Sequence, residues 1–129
     1  MTTGTTVGCD VVAVDRMRRL LADRPGARER IFTPVELADV LRGGVASDSE
    51  VAVERLAARF AAKEATRKAL RGEGPALIGI EVRTDEDGAP SIWVGGAPTR
   101  LACSLSHDAG VAMAVVIADA DVRDELLDG

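Results

Sequence analysis

The stretch Arg59-Phe60-Ala61-Ala62-Lys63-Glu64-Ala65-Thr66-Arg67-Lys68 decides how the chain is read. It closes a helical run that the residue pattern starts near Asp48. On a period of 3.6 residues, Val53, Leu56, Ala57 and Phe60 share one face, and Glu64 falls on that face one turn beyond Phe60. Lys68 lies one turn further, four residues from Glu64. A carboxylate set in an apolar stripe is costly to bury alone, so a lysine, a metal or a polar network must pair it. A Glu64–Lys68 helix pair is the structural reading, at a gain of about 0.2–0.5 kcal/mol.

Upstream, Val7 to Val14 reads as a strand with Val7, Cys9, Val11 and Ala13 on one face and Asp10, Val12 and Val14 on the other. Aspartate is a poor strand former. Asp15 is better placed to cap the following helix, Arg16 to about Asp23, so Asp10 is left needing another role. Pro25-Gly26 ends that helix, and Ala27 to Phe32 continues as a short turn. Thr33-Pro34-Val35-Glu36 is a helix start, with a capping threonine, proline at the first position and glutamate at the third. That helix runs to Leu41 and stops at Gly43-Gly44. Asp48 or Ser49 caps the long helix, which ends at Gly72.

Downstream the period changes to two. Ile78 to Thr84 and Pro90 to Gly95 form a hairpin across Asp85-Glu86-Asp87-Gly88. Leu101 to Leu105 is a strand, His107 to Gly110 a tight turn, and Val111 to Ala118 a strand apolar on both faces, hence central and buried. An acidic helix follows Asp119. The expected fold is a single α+β domain over residues 1–129: an antiparallel-rich sheet of about five strands packed on one long helix.

Composition narrows the function. Aromatic residues are limited to Phe32, Phe60 and Trp93, which leaves no base-stacking surface for single-stranded nucleic acid. The net charge of −5 opposes general polyanion binding. Yet Arg16 to Arg30 holds six arginines against Asp23 and Glu29, so a specific acidic partner fits this helix; a solvated face is the plainer reading. Cys9 and Cys103 lie in apolar runs and read as small core residues in a reducing compartment. No apolar run is long enough to span a membrane and no signal peptide is read, so the expectation is a cytoplasmic protein with no membrane or nucleic-acid partner.

Three ionisable groups stand in apolar settings: Asp10, Glu64 and His107. Two carboxylates without a thiolate suit Mg²⁺, which fills its shell with water and substrate phosphates. No Gly-rich phosphate loop is present.

These residues resemble the short holo-acyl-carrier-protein synthases, the 4′-phosphopantetheinyl transferases of the acyl-carrier-protein synthase type. The resemblance rests on Gly8-Cys9-Asp10-Val11-Val12 with Asp15-Arg16, Arg30 to Leu37, Leu56 to Ala65 with Lys68-Ala69-Leu70, Ile80 to Arg83 with Gly88-Ala89-Pro90, and Ser104 to Asp108. It implies transfer of 4′-phosphopantetheine from coenzyme A to a serine of an apo acyl carrier protein, leaving adenosine 3′,5′-bisphosphate. Carried over by position, Asp10 and Glu64 hold Mg²⁺, Lys68 assists at the diphosphate, and His107 contacts phosphates or ribose. Arg59, Lys63 and Pro90 are further coenzyme A contacts. Glu64, Lys68 or a metal-bound water takes the serine proton. Arg16, Arg18, Arg19 and Arg24 dock the acidic carrier, be it of fatty-acid, polyketide or peptide synthesis. The resemblance also implies a homotrimer with active sites between neighbouring subunits.

The chain departs from the family in three places. Gly96 to Ala102, with Pro98 inside, stands where the family carries a helix. Thr66 and Arg67 replace an aromatic and a small residue. Arg71-Gly72-Glu73-Gly74 replaces a shorter turn. The alternative function is a non-catalytic carrier-binding module that kept the fold and lost transfer.

Overall fold

A computed structural model describes residues 4–128. In chain order the elements are β1 (Thr6–Ala13), α1 (Val14–Asp23), α2 (Ala27–Ile31), α3 (Pro34–Asp39), α4 (Glu50–Ala69), a 3₁₀ turn (Leu77–Gly79), β2 (Ile80–Thr84), β3 (Pro90–Val94), β4 (Ala97–Pro98), β5 (Ala102–Asp108), β6 (Val111–Ala118) and α5 (Ala120–Asp128). The fold is α+β and its strand pairs are antiparallel. The strands form two sheets, ordered β1-β6-β5 and β2-β3-β4, where the sequence suggests one. The division has a local cause. Gly95 and Gly96 sit at φ 61° and 82°, a region glycine enters without a Cβ penalty. They turn the chain back so that Ala97 and Pro98 pair with Val94 and Trp93. Pro98 has no N–H to extend the ladder, so this sheet ends there. The short segment from Gly96 thus becomes an edge strand, pinned where Thr99 N–H and Oγ1 both donate to Ile92 O.

Helix α4 is the centre of the molecule. Ser49 caps it, its side chain accepting from Ala52 N at 3.2 Å. Twelve of its 20 residues are buried, seven of them alanine, so apolar contact wraps the helix instead of forming the single stripe expected. Small side chains let the first sheet press close. At Gly8 a Cβ would stand 1.9 Å from Ala65 O. The inner face of β6, formed by Ala112, Ala114, Val116 and Ala118, is fully buried.

Three expectations need correction. Strand β6 is central, but only one of its faces is buried. Met113 and Ile117 are 41% and 43% exposed, and their neighbours Val7 and Val11 are 62% and 57% exposed. The physical reason is that α4 covers one side of this sheet and, among the described residues, no element covers the other. Cys9 lies on that outer face and is exposed, not a core residue. Burial pushes the partly covered Cys103 thiol up to about 11. Asp15 does not cap α1. The helix begins two residues earlier, at Val14, with Ala13 at the cap position and no side-chain cap, and Val14 N–H is taken by Gly110 O at 2.9 Å. Asp15 instead pairs with Arg18 and Arg19.

The capping box at Thr33 is present as read. Thr33 Oγ1 accepts from Glu36 N at 3.2 Å and Glu36 Oε1 accepts from Thr33 N at 3.0 Å. Among the described residues, no helix is long and apolar enough to cross a membrane.

Candidate active site

Even-numbered residues of β1 face α4, which places Asp10 on the helix side with buried Gly8 and Val12. Strand and helix run in opposite directions: Thr6 Oγ1 donates to Ala69 O at 2.6 Å, and Gly8 lies over Ala65. Two residues along a strand advance about as far as four along a helix, so Asp10 sits beside the turn that carries Glu64. Lys68 reaches back across the strand, donating to Cys9 O at 2.9 Å and Asp10 Oδ1 at 3.2 Å. The fold therefore joins Asp10 to Lys68, with Glu64 one turn away on the same helix, and it pairs Lys68 with Asp10 and not with Glu64. Glu64 is half-buried. Among the described residues it has no hydrogen-bond or ion-pair partner, so the i,i+4 pair does not account for it. Two carboxylates and a lysine carried on this strand–helix crossing are the side-chain types that suit a hard cation and a phosphate.

His107 stands elsewhere. It is the penultimate residue of β5, and its Nδ1 lies 3.6 Å from Glu54 Oε2. Glu54 precedes Glu64 by ten residues, roughly 15 Å along the helix axis. Within one chain the sequence-predicted site is thus split into two halves.

His107 belongs to a cavity of about 340 Å³ whose charged lining comprises Asp39, Arg42, Arg55, Arg59 and His107. Arg59 is held there by α4. Its side chain is 7% exposed and lies 3.7 Å from Asp39 Oδ2, and its Nη2 donates to Thr84 Oγ1 at 3.0 Å. Its Nε is buried without a hydrogen-bond partner. Burial pulls the guanidinium below its ordinary range, opposed by Asp39. Arg55 donates to Val40 O and Arg42 O at 2.9 and 3.0 Å, and Arg42 lies 3.3 Å from Asp39. Three guanidinium groups against one carboxylate leave this cavity cationic. Pro90 pairs in register with the wall residue Thr84.

Lys63, expected to contact coenzyme A, is fully buried and lies 2.6 Å from the equally buried Glu36. It cannot meet a ligand in this arrangement, because α3 and β2 close over it. The sequence reading missed Glu36, Asp39, Arg42 and Arg55. The spacing of Arg55 and Arg59, one turn apart on α4, was the available signal.

On α1 the four candidate docking arginines differ. Arg18 is bonded to Asp15 and Glu50, and Arg19 lies 3.7 Å from Asp15. Arg16 and Arg24 are exposed and, among the described residues, carry no ion pair. A shallow groove beside them is lined by Arg18, Leu21, Ala22, Arg28, Asp48 and Val53.

Comparison with known proteins bears on the family and the fold. The model of the 4′-phosphopantetheinyl transferase superfamily matches residues 6–116. The holo-[acyl-carrier-protein] synthase of Frankia casuarinae is 44% identical over 124 residues, spanning 88% of this chain and 95% of its own. That of Streptomyces avermitilis is 42% identical over 125 residues, spanning 88% and 95%. Among solved structures, the ACPS–CoA complex of Chronobacterium ammoniagenes superposes with a TM-score of 0.74 at 28% identity, covering 90% of this chain and 97% of that one. The synthase of Neisseria meningitidis gives 0.72 at 31% identity, covering 88% and 97%.

Proposed function

The chain belongs to the 4′-phosphopantetheinyl transferase superfamily, and we propose that it carries out the reaction for which its relatives are named: moving the 4′-phosphopantetheine arm of coenzyme A onto a serine of an apo acyl carrier protein. The observation that carries this reading is the contact of Lys68 with Asp10 where β1 crosses α4, with the partnerless Glu64 one turn along the same helix. In the reaction the serine oxygen bonds to the β-phosphorus as the bond from that phosphorus to the bridging oxygen breaks, and adenosine 3′,5′-bisphosphate departs with the electron pair.

The residues fit Mg²⁺. They offer two carboxylates, one of them partnerless, which suits an ion that completes its shell with water and phosphate oxygens. Asp10 and Glu64 would hold it, and when bound it neutralises charge on the diphosphate. Lys68 places its ammonium against the same diphosphate. Glu64 and Lys68 are the two side chains positioned to take the serine proton. The cationic cavity of Arg42, Arg55, Arg59 and His107 takes the remaining phosphate of coenzyme A, with Pro90 behind its wall.

Arg16 and Arg24, with uncompensated charge, lead the docking of the acidic carrier, and Arg18 and Arg19 support them. The assembly is a homotrimer, as the resemblance implies. Two features support it: the bare apolar face of Val7, Val11, Met113 and Ile117, and a site split between the ends of α4, which a neighbouring copy can complete. The two free cysteines suit the cytoplasm.

Intact-mass spectrometry of an apo carrier after incubation with this protein, coenzyme A and Mg²⁺ tests the reading. One phosphopantetheine arm is gained, and EDTA or Glu64→Gln abolishes the gain while folding is retained. No gain on several carriers from a folded protein would leave a carrier-binding module that had lost transfer.

A further inference from the structure

The pair Glu36–Lys63 lies outside the reacting cluster, yet both side chains are fully buried and bonded on every side. Lys63 spends all three N–H bonds inside the protein: on Glu36, on Ile80 O at 2.5 Å and on Leu77 O at 3.1 Å. Its ammonium also sits 5.5 Å from the Phe32 ring centroid. Glu36 accepts in turn from Val82 N at 2.9 Å and Thr33 N at 3.0 Å. A lysine with no free donor has nothing to offer a phosphate.

The location of the pair gives it a role. Glu36 and Asp39 are three residues apart on α3, Lys63 and Arg59 four apart on α4, and Val82 and Thr84 two apart on β2. These spacings put successive members on one face of each element. The three elements therefore meet in two successive layers. The inner layer is Glu36–Lys63 with Val82 N–H, and it is sealed. The outer layer is Asp39–Arg59 with Thr84, and it forms the wall of the arginine cavity. The outer layer keeps one bond as short, Arg59 Nη2 to Thr84 Oγ1 at 3.0 Å, but its ion pair is 3.7 Å and the Thr84 N to Asp39 bond 3.5 Å. The loose contacts of this layer are those of Asp39, and Asp39 and Arg59 share α3 and α4 with the tight pair beneath.

We propose that Glu36 and Lys63 are positioning residues that set the Arg59 guanidinium and the Thr84 wall for the phosphate of coenzyme A, so that they determine coenzyme A affinity and leave the chemical step to the Asp10–Glu64–Lys68 cluster. This rests on the reading of the arginine cavity as a coenzyme A subsite. Removing one partner alone would strand a buried charge, so the test replaces both, with Glu36→Gln/Lys63→Met. Glutamine keeps an acceptor for Val82 N–H, and methionine fills the stem volume.

The folded double variant is expected to show a KM for coenzyme A raised about tenfold, with kcat and the KM for carrier within about twofold of wild type. A purely structural role would lower kcat and both affinities together, and that result, or an unchanged KM for coenzyme A, overturns the proposal. Arg42→Ala/Arg55→Ala tests the cavity separately. If it raises the coenzyme A KM and the pair variant does not, positioning fails alone. If it does not raise it, the cavity reading fails and the proposal falls with it.

Should the double variant not fold, hydrogen exchange on the wild-type protein decides. Saturation with coenzyme A should slow exchange of the Val82 amide, which is held by Glu36. Unchanged protection at Val82 overturns the link between the two layers.

Discussion

Replacing Gly8 with alanine sets two physical effects against each other. Glycine weakens a strand interior, so on conformational entropy alone Gly8→Ala should stabilise the fold by roughly 0.5–1 kcal/mol. Packing predicts the opposite sign. The new Cβ would lie 1.9 Å from Ala65 O and 2.7 Å from Ala69 N, both backbone atoms of a buried helix. Reaching an ordinary contact requires β1 and α4 to separate by roughly 1.5 Å, since carbon contacts settle near 3.5 Å. Overpacking costs typically about 1–3 kcal/mol, and neither partner here is a flexible side chain, so about 3 kcal/mol is expected. At roughly 3–5 °C per kcal/mol for a domain of this size, the melting temperature should fall by about 10–15 °C. Asp10 lies two residues along the same strand and would move with it, away from Lys68 and Glu64. A displacement of about 1 Å at reacting groups can cost about a hundredfold in rate. Thermal unfolding and kcat from the carrier mass assay, taken at a temperature where the variant is folded, measure both effects. A Gly8→Ala protein as stable and as fast as wild type would refute the claim that close β1–α4 contact builds the site.

Arg16→Glu/Arg24→Glu should raise the KM for carrier about tenfold at low salt and leave the KM for coenzyme A unchanged, with the difference shrinking near 0.5 M salt; an unaltered carrier KM would remove this surface from docking. Met113→Asp places a charge on the bare face of the first sheet, and light scattering should report monomers; retention of wild-type mass would show that this face is not the interface. In that monomer a thiol reagent at pH 8 should label Cys9 rapidly and leave Cys103 unreacted. Because Cys103 is pushed up to about 11 from an ordinary 9.0, the folded state holds its proton where the unfolded chain has lost it. The contribution of Cys103 to stability is therefore intact below pH 9 and declines from pH 9 to about 11; urea titrations showing no such decline in a comparison with Cys103→Ala would contradict its burial.

Sequence alone determined what depends on neighbours within a few residues. The capping box at Thr33, the Ser49 cap, the Asp87-Gly88 hairpin and the alternation of Ile80, Val82, Ile92 and Val94 are set by local backbone chemistry, and they appear where their patterns place them. Asp10 and Glu64 were legible as groups out of place, because a carboxylate in an apolar setting requires compensation whatever the fold. Partner choice was not local, and only the tertiary structure decided it. Lys68 could meet Glu64 along its own helix, but the β1 crossing at Gly8 offered it Asp10 and the Cys9 carbonyl instead. Lys63 carries a charge that in sequence is indistinguishable from that of Lys68; α3 and β2 closed over one and left the other open. The continuous apolar run of β6 announced two buried faces, and among the described residues α4 covers only one of them. Periodicity reports which residues share a side. What lies against that side depends on elements distant in sequence, and burial, pairing and the division of the site follow from them.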